Sequence, residues 1–241
     1  MEVVAGFLLE FYMAKWYTNN MDLSNVKKIN IITGHYGSGK TNFSVNLALA
    51  LADKGEKVSI VDLDIVNPYF RTADFSELFK DRGITLAASV YANSNLDIPA
   101  ISFDVERLAN EDGYLIIDVG GDDDGAMALG RYSEILNSRD DVQMLYVINA
   151  YRYLVKEPED TVALLKSIEA ASRMKCTGLV NNSNLGDETN AVCVKNSLSF
   201  AKKVSELSGL PVLYTCVPNG ETVGEREEFP IRRYVKAPWE E

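Results

Sequence analysis

The sequence contains a single histidine, His35, among 241 residues. That scarcity removes Ser-His-Asp hydrolases, histidine-rich metal centres and most histidine-based acid–base mechanisms. Cysteine is nearly as rare. Cys176, Cys193 and Cys216 lie far apart with no Cys-x-x-Cys pair, so neither a disulfide framework nor a zinc site is supported. They read as buried thiols of a cytoplasmic protein. Positive charge is also in deficit. Against 35 Asp and Glu stand 24 Lys and Arg, a formal net charge of -11, and direct nucleic-acid binding is not expected without a basic face. No long apolar run occurs. Residues 3–17 come nearest, but Glu10 and Lys15 interrupt them and the stretch is too short to span a bilayer. Glu2 denies it the basic start of a secretory signal. No transmembrane segment is expected. Proline is sparse at seven, and 46% of residues are hydrophobic, which suits a globular chain with a good core.

The length fits one α/β domain. Residues 1–27 read as an N-terminal extension, an added helix or a frayed segment over one edge, with Met21 as an alternative translation start and a membrane-surface anchor as the least favoured reading. From there strand and helix patterns alternate. Strands are expected at 28–33, 57–62, 84–90, 114–119, 142–148, 177–180 and 212–217; helices are expected at 40–54, 74–80, 124–136, 159–171 and 191–208. The run 114–119 is almost wholly apolar between Gly113 and Gly120, as in a strand buried on both faces. This order predicts an α/β fold with a doubly wound, mostly parallel sheet flanked by helices. In such a sheet ligands sit at the carboxyl ends of the strands, so residues just past those ends carry the chemistry.

Past the first strand stands Gly34-His35-Tyr36-Gly37-Ser38-Gly39-Lys40-Thr41, a full match to G-x-x-x-x-G-K-[ST] between a strand and a helix. The glycines let the backbone curl until successive N–H groups point at phosphate oxygens, and the helix that follows adds its N-terminal dipole. Lys40 is expected on the β- and γ-phosphates, Thr41 on Mg²⁺, and Asn42 with the loop at the helix start. Residues 28–241 are thereby read as a P-loop nucleotide-binding domain for ATP and Mg²⁺.

Acids follow at two strand ends. Asp62 and Asp64 leave the second strand, and Mg²⁺ takes one or two carboxylates directly or through water. Asp118 ends the run 114–119, and Asp118-Val119-Gly120-Gly121 has the DxxG form, in which the Gly121 N–H can bond the γ-phosphate. Asp122, Asp123 and Asp124 read as helix-cap and dipole partners. For the base, the guanine-reading Asn-Lys-x-Asp element is missing. Asn181 and Asn182 end a late strand, and their amides can accept from the adenine amino group and donate to a ring nitrogen. Arg71, in Asn67-Pro68-Tyr69-Phe70-Arg71, reads either as a charged contact to phosphate or partner or as an exposed loop residue. The weakly basic Pro230-Ile231-Arg232-Arg233-Tyr234 is given no role.

With these residues in place the chain resembles the MinD/ParA/CobQ group of P-loop ATPases, in the class that includes the signal-recognition GTPases, over about residues 28–218. By that resemblance Asp62 supports the metal shell with Thr41 and Asp118, Asp64 positions the hydrolytic water, Asn182 meets adenine, and Pro218 flanks the base. The resemblance implies an ATPase acting as a nucleotide-dependent switch on a protein partner. A synthetase acting on a small carboxylate and a non-hydrolysing ATP-binding module stay open as alternatives. One departure stands out. ParA-like members carry a lysine after the first loop glycine that reaches across an ATP-sandwich dimer, whereas this chain has His35. A homodimer is left open, but ATP-driven dimerisation through that position is expected to be weak or absent.

Overall fold

The computed structural model describes residues 23–64, 72–87, 101–121, 123–152 and 157–235. The Asn67–Arg71 stretch, Asp122 and most of the proposed N-terminal extension lie outside them. Eight strands form one sheet: β1 (Ile29–Gly34), β2 (Val58–Leu63), β3 (Thr85–Ala87), β4 (Tyr114–Val119), β5 (Val142–Ile148), β6 (Gly178–Asn181), β7 (Val212–Pro218) and β8 (Glu228–Ile231). Their spatial order is β3-β2-β4-β1-β5-β6-β7-β8, and every neighbouring pair is parallel. The helices are α1 (Lys40–Asp53), α2 (Ser76–Asp81), α3 (Ile101–Asn110), α4 (Asp123–Gly130), α5 (Ser133–Asn137), α6 (Pro158–Ser172) and α7 (Ala191–Ser208).

The strands are apolar on both faces because both faces are covered. Ile29 and Ile31 of β1, with Leu115, Ile117 and Val119 of β4, join one core with α3, α4, α6 and α7. Ile32 and Ile116 point the other way into a second core built on α1 and α2. The period of two along each strand thus feeds two separate cores. α1 is buried from Phe43 through Leu51, and Phe43 meets Phe229 of β8 with ring centroids 5.0 Å apart and Tyr214 of β7 at 5.9 Å. The helix that follows the glycine loop is therefore seated deep in the protein. Among the described residues no helix is long and apolar enough to cross a membrane.

Three elements depart from the sequence expectation. The helix expected over 124–136 is two helices, because Gly130 is pressed against α6. A Cβ there would lie 3.0 Å from the Ala171 carbonyl oxygen, and the Gly130 carbonyl accepts from Arg173 and from Ser133 Oγ. α3 was not expected. Nor was β8, whose Pro230 weakens the strand signal but is tolerated at a sheet edge.

β7 and β8 run parallel across a connection of only residues 219–227, shorter than such crossovers usually need. Glu228 holds it. One carboxylate oxygen accepts from Thr222 Oγ1 at 2.9 Å and from the N–H groups of Val223, Gly224 and Glu225 at 2.8, 2.7 and 3.0 Å. Burial alone would raise the Glu228 pKa, but these donors leave it below the ordinary value. A lowered acid pKa contributes stability above the unfolded-state value of about 4.5 and loses it as pH falls through the folded value. Glu228→Gln is expected to lower the thermal midpoint at neutral pH and to flatten its fall on acidification. Parallel melting curves for both proteins between pH 3 and 7 would refute this bond network.

Candidate functional site

The glycine loop leaves β1 in the middle of the sheet, with β4 on one side and β5 on the other. Gly34, Gly37 and Gly39 hold φ of 146°, 74° and 88°, a region that other residues enter at a cost. A Cβ on Gly34 would run into the Val147 carbonyl and one on Gly39 into the Asn182 amide, so the glycines also let the neighbouring strands close in. α1 starts directly at Lys40 with no side-chain cap, leaving its first N–H groups at the loop.

The acids gather beside it. β2 and β4 pair so that Asp62 and Asp118 are register partners, both almost fully buried. The Asp64 N–H donates to Asp62 Oδ1 at 2.9 Å, and Ser44 Oγ donates to Asp118 Oδ1 at 3.2 Å. The Asp118 pKa is pushed up to about 7, first by burial, then by the Asp62 charge and more weakly by Asp64. Lys40 and the Thr41 hydroxyl pull it the other way. Lys40 Nζ also donates to the His35 carbonyl at 3.2 Å. Gly121 packs on this group so closely that a Cβ would lie 2.7 Å from Lys40 Nζ and 2.7 Å from the Tyr36 main chain. Lys40, Thr41, Asp62, Asp64, Asp118 and Gly121 thus converge. Ser44 was not singled out in the sequence, although it sits one helical turn after Thr41 on α1 and so faces the same way.

Two hard-oxygen acids beside an alcohol, buried until one carboxyl resists ionisation, suit a small divalent cation that would offset their repulsion. Among the described residues no three His, Cys, Asp or Glu side chains form a metal-holding group. A Mg²⁺ ion needs fewer protein ligands than that, because phosphate and water complete its shell.

The asparagines are differently placed. Asn181 turns into the core, where its amide bonds Ser197 and Ser183. Asn182 points at the glycine loop and donates to the Ser38 carbonyl at 2.8 Å and the Gly39 carbonyl at 3.4 Å, which leaves its Oδ1 as an acceptor. The Asn42 side chain is not turned to the loop. It binds the main chain of Arg232, Tyr234 and Val235. Pro218 closes β7 and accepts from the Glu221 N–H at 2.9 Å. Tyr36 is exposed at the tip of the loop. His35 has its pKa lowered by burial and by the charges of Lys40 and Arg152, and its Nδ1 has no hydrogen-bond partner. Arg152, four residues past β5, donates through Nε to the Gly37 carbonyl. No motif marks it, but its place beyond a strand end was the available signal.

This arrangement is the P-loop NTPase fold. Among solved structures the chain is similar to the cell division protein FtsY of Thermotoga maritima, with a TM-score of 0.57 and 19% identity over 80% of this chain and 62% of that one. It is similar also to the signal recognition particle 54 kDa protein of Aeropyrum pernix, solved with GDP, with a TM-score of 0.54 and 19% identity over 88% of this chain and 47% of that one. At such identities the likeness is one of fold. Residues 25–80 match the ParA family model described as NUBPL iron-transfer P-loop NTPase. Two curated relatives match over short segments. An iron-sulfur cluster carrier protein of Saccharolobus solfataricus is 47% identical over 49 residues, covering 20% of this chain and 17% of that protein. The antiactivator FleN of Pseudomonas aeruginosa is 55% identical over 40 residues, covering 17% and 14%. These matches span less than a fifth of either relative. A segment similar to the ParA family model thus sits in a P-loop NTPase fold.

Proposed function

We propose that residues 28–241 form one domain that binds Mg-ATP and hydrolyses it as a cytoplasmic switch acting on a protein partner. The observation that carries this reading is the packing of Gly121 against Lys40 Nζ and the Tyr36 main chain. A γ-phosphate bound by Lys40 would press on this contact, so loss of that phosphate would be felt in the β4–α4 turn. Thr41, Asp62 and Asp118 would hold Mg²⁺, which when bound neutralises phosphate charge. Asp64, less buried than its neighbours, would orient the attacking water.

The base reading rests on the bonds of Asn182. With its amide donors on the loop carbonyls, Oδ1 is left to accept from an adenine amino group. A guanine reader needs a carboxylate. Asn184 stands instead with its amide tied to the Asn182 carbonyl and the Gly186 N–H, and nearby Asp187 is ion-paired with Arg233 at 2.6 Å. Among the described residues Cys176, Cys193 and Cys216 are free thiols, and no three His, Cys, Asp or Glu side chains gather to hold a metal. Burial pushes the Cys176 and Cys216 thiols up, which keeps them protonated and poor as metal ligands.

Binding titrations with ATP and GTP in Mg²⁺, followed by single-turnover hydrolysis, test the reading. ATP is expected to bind tighter than GTP. Asp64→Asn is expected to retain ATP while slowing hydrolysis on the order of 10²-fold. Equal affinity for both nucleotides would refute the base assignment, and an unchanged rate in the variant would refute the role of Asp64.

A further inference from the structure

We infer that Arg152 is a phosphate-contacting residue of this site, supplying in cis a second positive charge to the γ-phosphate of a bound nucleoside triphosphate; this deepens the nucleotide-site reading above and rests on it. The guanidinium lies over the loop at Gly37. A Cβ on that glycine would meet Arg152 Cζ at 3.0 Å, Nε at 3.1 Å and one terminal nitrogen at 3.2 Å, so the glycine makes room for the arginine as well as for the turn. Nε donates to the Gly37 carbonyl, while the residue as a whole is exposed. Among the described residues that carbonyl is its one hydrogen-bond partner, and no carboxylate pairs with it.

An arginine held by one neutral acceptor keeps most of its five donors for another group. A guanidinium grips phosphate oxygens through two parallel bonds. The residues around it are short of partners too. Ser38 Oγ and His35 Nδ1 are buried without hydrogen bonds, and both residues line a small pocket with Arg152 and Asn149. His35 is a poor source of that charge, since burial and the charges of Lys40 and Arg152 lower its pKa. The need for charge is plain from the other wall of the site, where Asp62, Asp64 and Asp118 face Lys40. A triphosphate would add three or four negative charges to that group. Arg152 stands on the side of the loop away from the acids, next to β5, and can approach the phosphates without crossing them.

The test is the affinity of the full chain for ATP and for ADP in Mg²⁺, with Arg152→Gln, Arg152→Lys and Lys40→Ala beside the wild type. Arg152→Gln retains a donor for the Gly37 carbonyl but removes the charge. It is expected to weaken ATP by about tenfold and ADP by less than about twofold, with Arg152→Lys between it and the wild type for ATP. An equal loss for ATP and ADP would make Arg152 a brace of the loop and overturn the inference. So would wild-type affinity for ATP in Arg152→Gln while Lys40→Ala loses it, and in that case the phosphate loop itself would stand. A wild-type protein that binds neither nucleotide would overturn both.

Discussion

Lys40→Ala is expected to lower ATP affinity by roughly 10²-fold, the largest loss of any single side chain in this site. Lys40 starts α1, is 7% exposed, and bonds the His35 carbonyl, so its ammonium is already aimed across the mouth of the loop. A bound triphosphate would take that ammonium as its closest protein charge. Removal would leave phosphate repulsion uncompensated beside Asp62 and Asp118. The loop should still form, because its shape comes from glycines and α1 gains a good helix former. Circular dichroism and ADP titration on the same sample separate the two effects. ATP affinity within twofold of the wild type, in a folded variant, would refute the phosphate-loop assignment.

Asp118→Asn is expected to act in opposite directions on stability and on ligand. The raised pKa means that, between the ordinary carboxylate value and about 7, the folded protein holds a proton that the unfolded chain has released. This contribution to stability is fully present below the unfolded value and is lost as pH rises through about 7. An asparagine carries no charge to bury and can still accept from Ser44. Its amide can also donate toward Asp62. The nucleotide-free variant should therefore be more stable than the wild type at pH 8, on the order of 1–2 kcal/mol, and show a flatter stability profile from pH 4 to 7. Mg-ATP, which would use that carboxylate, should raise its thermal midpoint far less than it raises the wild type's. A variant destabilised at pH 8, or one that keeps the full Mg-ATP shift, would contradict this account of Asp118.

Much of this was legible from residue order. The bounds of β4, β5 and α7 agree with the hydrophobic patterns, because their apolar runs are long and closed by glycine, asparagine or turn residues. The loop announces itself, since few backbones other than one that curls around an anion need three glycines at that spacing. What sequence could not show is register. That Asp62 and Asp118 stand side by side depends on how β2 and β4 align, a tertiary fact. The direction of the asparagine amides is similar. Strand alternation puts Asn181 and Asn182 on opposite faces, but only the packing of β6 decides which one meets the loop. The strand at Pro230 was hidden for a related reason, since pairing with β7 overrides proline's local preference, whereas the break at Gly130 agrees with glycine's low helix propensity, a local signal that the expected helix passed over.

The clasp between α1 and the segment after β8 is expected to form late in folding. Asn42 accepts from the Tyr234 N–H, and Asn46 exchanges bonds with the Arg232 main chain, across separations of 192 and 186 residues. Phe43 waits likewise for Phe229. Contacts of such span form late, since the loop they close must first be drawn in. On a ribosome the phosphate loop is among the earliest described parts of this chain to emerge. The helix behind it would stay half-clad until residues 228–235 arrive, leaving the first-made loop as the last to become rigid.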